Sequence, residues 1–202
     1  MSEKDYSWID IAVIDNGGQW THREYRVIRD LGAVVKIVPN TADFSQIANA
    51  DGIVLSGGSP SVGLQPERMG NAGKFVDLFP GPVMGICVGH HFLAHHLGGK
   101  VGRGLSAEYG RARLEVIENR GILAGLPPSF TVWESHKDEV KALPPGFVSL
   151  ARTGVCEIEA MMSTDRQIFG VQFHPEVEDT ENGLQIFTNF LEEVSKWKSA
   201  GN

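Results

Sequence analysis

The chain has 202 residues, with 18 Lys and Arg against 25 Asp and Glu and a formal net charge of −7. That length suffices for one α/β domain with a full core, and an acidic balance without a basic block argues against a nucleic-acid surface. Two cysteines, Cys87 and Cys156, cannot build a disulfide framework and point to a reducing cytoplasm; no apolar run reaches membrane-spanning length, and the first residues hold no signal-like apolar segment.

Residues 9–14 form a near-continuous apolar run that ends at Asp15-Asn16-Gly17-Gly18, the pattern of a buried strand and a turn. Thr21 is placed to cap a helix whose apolar positions Tyr25, Ile28 and Leu31 recur at helical spacing, with Gly32 past its end. Further strands are expected over 34–38, 52–55 and 83–86, with a weaker helix over 74–79. The strand at 83–86 runs through Cys87 into an apolar-periodic helix closed by Gly98-Gly99. Strands alternating with helices imply parallel pairing and a sheet buried on both faces. Chemistry in such sheets collects at the carboxyl ends of the strands. Asp15-Asn16-Gly17-Gly18, Ser56-Gly57-Gly58 and Cys87 all fall at such ends.

The second half changes character. Strand-like runs around Leu114, Val116 and Ile117, and over 131–133, 147–151, 158–162 and 168–173, are separated by Pro-containing and polar turns. They read as antiparallel hairpins added to the sheet. Thr180 or Asn182 can cap a last helix with Leu184, Phe187, Phe190, Leu191 and Val194 on its inner face. No linker or repeat interrupts residues 1–202, which read as a single domain.

Cys87 stands out because Gly85 and Gly89 flank it at a strand-to-helix switch. A residue forced into a tight turn there needs small neighbours, the mechanical logic of a nucleophile elbow, here with Cys in place of Ser. A thiol at a helix N-terminus also feels the positive end of the helix dipole, which favours thiolate. A buried core cysteine is the plainer alternative. A Cys nucleophile needs a base and an orienter for that base. His174 ends an apolar strand and Glu176 follows two residues on, so the pair can face the thiol from the same sheet edge. A tetrahedral intermediate also needs N–H donors for its oxyanion, and the backbones of Gly58 and Val88 are the natural pair. Cys156 has neither flanking glycines nor an adjacent base and reads as structural. His90, His91, His95 and His96 lack a matching Cys or acidic cluster, so no metal site is expected there. No Gly-Lys-Ser or Gly-Lys-Thr occurs, so nucleotide chemistry is expected on another polypeptide.

Gly85-Ile86-Cys87-Val88-Gly89, Ser56-Gly57-Gly58 and Phe173-His174-Pro175-Glu176 together resemble the class I (triad) glutamine amidotransferases over nearly the whole chain. Within that family, Ile14-Asp15-Asn16-Gly17-Gly18-Gln19, His22-Arg23, Glu108-Tyr109-Gly110 and Ser135-His136-Lys137-Asp138-Glu139-Val140 are similar to the glutaminase subunits of archaeal two-subunit GMP synthases. The resemblance implies a flavodoxin-like three-layer α/β sandwich with a mostly parallel central sheet plus antiparallel hairpin strands. It implies a triad of Cys87, His174 and Glu176, and an oxyanion hole of the Gly58 and Val88 backbone N–H groups. L-Glutamine would be held by Gly57, His91 and the backbone around Ser135 and His136. The family usually carries Gln where this chain has His91, and an imidazole cannot reproduce an amide's geometry. No cofactor is implied on this chain. ATP and Mg are expected on a separate ATP pyrophosphatase (synthetase) subunit that aminates XMP to GMP. The glutaminase component of anthranilate or aminodeoxychorismate synthase is the alternative enzyme. A catalytically silent regulatory scaffold is the alternative of a different class, and the intact Cys, His and Glu set argues against it.

Overall fold

The computed structural model describes residues 5–201; the first four residues, where no signal-like segment was expected, and Asn202 lie outside the described residues. The first half alternates strand and helix: β1 (Asp10–Asn16), α1 (Thr21–Asp30), β2 (Val34–Pro39), β3 (Gly52–Gly58), α2 (Ala72–Leu78), β4 (Val83–Ile86) and α3 (Val88–His96). The second half runs β5 (Lys100–Val116), β6 (Ser129–Ala142), β7 (Phe147–Arg152), β8 (Ala160–Ser163), β9 (Ile168–Val171) and α4 (Gly183–Ser199). All the strands join one nine-stranded sheet in the order β2-β1-β3-β4-β9-β8-β7-β5-β6. The pairs β2–β1, β1–β3, β3–β4 and β4–β9 are parallel, and the rest are antiparallel. The expected α/β architecture is therefore present, with β9 returning to complete the parallel half.

The inner parallel strands β1, β3, β4 and β9 are largely apolar because helices cover both of their faces, whereas the edge strand β2 is exposed or half-buried along most of its length. On β3, a Cβ at Gly52 would meet Val194 and Phe190 of α4, while Leu55 packs its Cβ against Gly89 of α3. Residues three apart on a strand point to opposite faces, so α3 and α4 sandwich the sheet. Ile11, Val13, Ile53, Val54, Leu55, Val83, Met84, Ile86, Phe169 and Val171 fill the resulting core. Among the described residues no helix is long and apolar enough to cross a membrane.

Several local expectations differ from the structure. β5 spans 17 residues and β6 spans 14, far longer than the short runs expected around 114–117 and 131–133. Polar side chains and Gly102, Gly104 and Gly110 interrupt the β pattern of β5, and its ladder shifts register between Arg103 and Glu108. β9 stops at Val171 rather than continuing to Phe173, and Ile158 precedes β8 instead of starting it. Thr21 is the first helical residue, not the cap. Trp20 takes the cap position without a side-chain bond, and the Thr21 hydroxyl reaches Asp15 Oδ1 at 3.0 Å. Asn182 takes the cap position of α4 with φ 61°, while the Thr180 hydroxyl donates to the His174 carbonyl at 2.7 Å. Leu184 faces solvent at 60 % exposure, and Ile186 takes the inward position.

The close approach of α3 to the sheet sets a stability test. A Cβ on Gly89 would stand 2.2 Å from the Leu55 carbonyl oxygen, whereas one on Gly102 would meet only Lys141 at 3.9 Å. Gly89→Ala is expected to lose at least about 1–3 kcal/mol, the scale of overpacking a filled core. Gly102→Ala should stay within about 0.5 kcal/mol of the parent. Urea denaturation of both variants measures the contrast.

Candidate active site

The carboxyl ends of β1, β3, β4 and β9 point to one edge of the sheet because these strands are parallel. Cys87 emerges there between β4 and α3 with φ 51° and ψ −104°, a conformation rarely adopted by a side-chain-bearing residue. Its neighbours explain how the turn is tolerated. A Cβ on Gly85 would stand 2.5 Å from the Gly89 carbonyl carbon, so the strand and helix backbones touch where only glycine fits. The Cys87 N–H donates to the Val171 carbonyl at 2.8 Å, and the Cys87 carbonyl accepts the His91 N–H at 3.0 Å. The elbow is thus pinned on both sides.

His174 lies three residues past β9. Its N–H donates to the Trp133 carbonyl of β6 at 3.0 Å, and its Nδ1 is 2.7 Å from Glu176 Oε1. With a carboxylate accepting at Nδ1, the other ring nitrogen is left for the thiol. The imidazole also lies against the Gly57 backbone, since a Cβ there would meet His174 Cε1 at 3.2 Å and Cys87 Cβ at 3.9 Å. Burial works to lower the His174 pKa. The negative charges of Cys87 and Glu176, together with their hydrogen bonds, outweigh it and hold the imidazole well above its usual value. The Trp20 ring edge packs on the His174 ring with centroids 4.4 Å apart. All three chemical side chains are shielded from water, at 4 %, 4 % and 6 % exposure for Cys87, His174 and Glu176.

The glycine strand end is fixed by two side chains. The Gly57 N–H donates to Glu24 Oε1 at 3.2 Å, and the Gly57 carbonyl accepts the Ser56 hydroxyl at 2.9 Å. A trans peptide points its N–H opposite to its C=O, so the Gly58 N–H points away from the Ser56 hydroxyl. Glu24 is fully buried on α1. Burial first, and then the charge of Glu176, hold its carboxyl well above the usual carboxylate range.

A cleft of about 270 Å³ joins Gly17, Gly18, Trp20, Gly57, Gly58, Cys87, Ser135 and His174. A second of about 300 Å³ continues past Val88, His91, Tyr109, His136 and Asp138. The structure thus gathers the expected Cys87, His174, Glu176, Gly57, Gly58, Val88 and Ser135 at one edge. His91 borders the second cleft, but its Nε2 is 2.6 Å from Gln172 Oε1, and burial lowers its pKa to about 4, so the ring is neutral. The His136 ring is turned into the interior at 1 % exposure, so only its backbone is available to a ligand in the cleft. Cys156 is fully buried, and burial and Glu159 push its thiol up, away from thiolate. Trp20 and Glu24 are contacts that the sequence reading missed. The available signal was Glu24 itself, a charged residue on the buried Thr21, Glu24 and Ile28 face of α1.

The description "Glutamine amidotransferase class-I" belongs to the family profile that matches residues 12–194. The chain is 46 % identical over 186 residues to a Picrophilus torridus protein named as a subunit of glutamine-hydrolyzing GMP synthase, covering 92 % of this chain and 99 % of that one. It is 49 % identical over 185 residues to the Pyrococcus abyssi protein of the same name, covering 89 % and 96 %. A crystal structure from Thermoplasma acidophilum, described as that of a candidate GMP synthase subunit, superposes with a TM-score of 0.92 at 42 % identity, covering 96 % of this chain and 97 % of that one. A match across nearly the full length, in a chain whose elbow cysteine meets a His–Glu pair, places it among the class I glutamine amidotransferases.

Proposed function

We propose that this chain, as one amidotransferase domain over residues 1–202, is the glutaminase subunit of a two-subunit GMP synthase. It hydrolyses L-glutamine to glutamate and ammonia in the cytoplasm. The observation that carries the reading is the strained Cys87 beside a His174–Glu176 pair, in a chain whose near full-length relatives are named as GMP synthase subunits. Cys87 thiolate attacks the side-chain amide carbon of glutamine. The oxyanion that forms is met by the Gly58 and Val88 N–H groups. His174, protonated beside the thiolate, gives its proton to the leaving ammonia. It then takes one from the water that cleaves the thioester. Glu176 keeps the imidazole in the right orientation and tautomer. Gly57, Ser135 and the backbone at His136 form the walls that receive glutamine, and His91 shapes the far end of the cleft. The ammonia passes to a separate ATP pyrophosphatase subunit, which holds ATP and Mg and aminates XMP. Ammonia release from glutamine by the purified chain, with Cys87→Ala as control, tests the activity. A glutamine-analogue alkylating agent should label Cys87 and spare Cys156.

The base and its orienter should separate in kinetics. His174→Ala is expected to lower turnover by about 10²–10⁴-fold, the usual worth of general acid–base transfer. Glu176→Ala should lose less, since it acts through His174. Near-parental turnover by a folded His174→Ala protein would require another base.

Glu24 acts on this site as a positioning residue through the Gly57 N–H, and its buried acid links stability to pH. A carboxyl whose folded-state pKa is raised holds its proton more tightly than the unfolded chain does. Its contribution is fully present below the unfolded value, and it is lost as pH rises toward the folded value. Glu24→Gln keeps the acceptor for Gly57 and removes the titration. The melting temperature of Glu24→Gln should therefore gain on the parent as the pH rises above the ordinary carboxylate range. A gap that stays constant across that rise would show Glu24 to be ionised throughout.

The isolated chain is expected to be a poor glutaminase that its partner activates, since free hydrolysis would waste ammonia. Any activation must come through contacts that differ between two states of the site. Steady-state turnover per Cys87 should rise when the synthetase, ATP and XMP are added together. Equal turnover with and without them would exclude coupling.

A further inference from the structure

The interior face of β6 carries side chains that glutamine hydrolysis does not use. Glu134 and His136 are two residues apart on that strand and share a face. Glu108 of β5 sits opposite His136 in the ladder, and Glu159 reaches the same point from just before β8. His136 Nε2 lies 3.3 Å from Glu134 Oε2, 3.4 Å from Glu108 Oε2 and 4.0 Å from Glu159 Oε1. Glu134 and Glu159 are 0 % exposed, and neither carboxylate makes a hydrogen bond through either oxygen; His136 Nε2 makes none either. Buried polar groups are almost always paired, and buried charges are paired or bind metal. Here several orphans converge on one point.

The tautomer sharpens the problem. His136 Nδ1 is 3.0 Å from the Asp138 carbonyl, which can only accept, so Nδ1 carries a proton. In the neutral ring, Nε2 then aims its lone pair at the carboxylates, which is repulsive unless a positive charge lies between them. One ligand atom each from Glu108, His136 and Glu159 lie within 4.8 Å of one another. The 3.4 and 4.0 Å from His136 Nε2 to Glu108 and Glu159 fit ligands on a shared ion at about 2.0–2.2 Å from each. The Asp138 carbonyl at Nδ1, and the Thr153 hydroxyl 3.1 Å from Glu108 Oε1, are outer partners of the kind that orient metal ligands.

We propose that Glu108, His136 and Glu159 bind one divalent transition cation, Zn²⁺ or Mn²⁺, with Glu134 completing the negative lining. A set of one imidazole and several carboxylates suits these ions. The ion would tie β5, β6 and the segment leading into β8 together beneath Ser135. It would brace the strand that walls the cleft, with no part in the chemistry at Cys87. The rival occupant is a proton on Nε2. The surrounding acids, acting against burial, raise the His136 pKa to about 10. One N–H, however, serves one acid at a time, so the rival also requires Glu134 and Glu159, whose carboxyls burial holds above the usual range, to share protons of their own.

The test needs no glutamine, so its outcome is independent of the glutaminase reading. The full chain is purified from cultures supplemented with zinc or manganese, and its metal content is measured by mass spectrometry. About one equivalent per chain is expected, with a melting temperature that falls by several degrees on chelation and recovers when ZnCl₂ or MnCl₂ is returned. Glu159→Gln and Glu108→Gln, isosteric and neutral, should each bind at least about tenfold less ion and melt at a temperature insensitive to chelator. Parental protein with less than about a tenth of an equivalent from either culture, and a melting temperature indifferent to chelator, would overturn the proposal in favour of an imidazolium. Retention of the full equivalent by both variants would overturn it as well, by placing the ion elsewhere.

Discussion

The constraint on which the rest depends is the backbone of Cys87. A φ of 51° at a residue with a side chain costs about 1–3 kcal/mol and persists only where its surroundings over-determine it. Those surroundings are backbone atoms. Gly85 lies against Gly89, Gly89 lies against the Leu55 carbonyl, and the Cys87 N–H is bonded to β9. The turn cannot relax without separating α3 from the sheet, so the conformation is held by the core of the parallel half. The result is a thiol fixed at the sheet edge at the start of a helix.

Charge balance then decides the state of every group behind it. Cys87 and Glu176 hold His174 well above its usual pKa in a site almost closed to water. An ionised Glu24 would face the charge of Glu176, and the Gly57 N–H and the charge of His174 do not offset that repulsion and the cost of burial. Keeping Glu24 protonated removes that repulsion and leaves His174 charged by its two immediate partners. The two acids near this imidazole differ in setting, since Glu176 is hydrogen-bonded to the ring and Glu24 is walled in by α1 and β3.

The parallel half was legible because its inner strands are buried on both faces and its turns are marked by glycine. The run at 83–86 is β4 residue for residue, and those at 9–14 and 52–55 correspond to β1 and β3, shifted or extended by a few residues at their ends. Cys87, His174 and Glu176 were legible for the same reason, since each sits where an apolar run stops. The hairpin was not. β5 is exposed along most of its length, so neither alternation nor apolar runs announce it, and its partner β6 sets its extent through long-range pairing. The buried acids were hidden more deeply. Glu108, Glu134 and Glu159 stand in three separate stretches, and each reads alone as an ordinary solvated carboxylate until the ladder sets Glu108 opposite His136. Thr21 and Thr180 were read as caps for their residue type, whereas their hydroxyls are engaged by Asp15 and by the His174 carbonyl.

The early end of β9 has a consequence for the site. Had its ladder continued through Phe173, the direction of His174 would have followed from strand alternation alone. Instead the chain leaves the sheet after Val171, and each following residue is held by a different neighbour. The Gln172 N–H donates to the Glu159 carbonyl at 2.7 Å, while its side chain meets His91 at 2.6 Å. The His174 N–H crosses to the Trp133 carbonyl of β6, and Thr180 bridges the two by accepting the Trp133 N–H at 2.9 Å and donating to the His174 carbonyl. His174 is therefore set by β6, the same strand that carries Ser135 into the cleft, whereas Cys87 is set by β4 and α3. The distance between nucleophile and base depends on how the antiparallel hairpin sits against the parallel half. Trp133 and Ser135 stand two residues apart on β6, so one short stretch of a single strand holds the base and lines the substrate cleft.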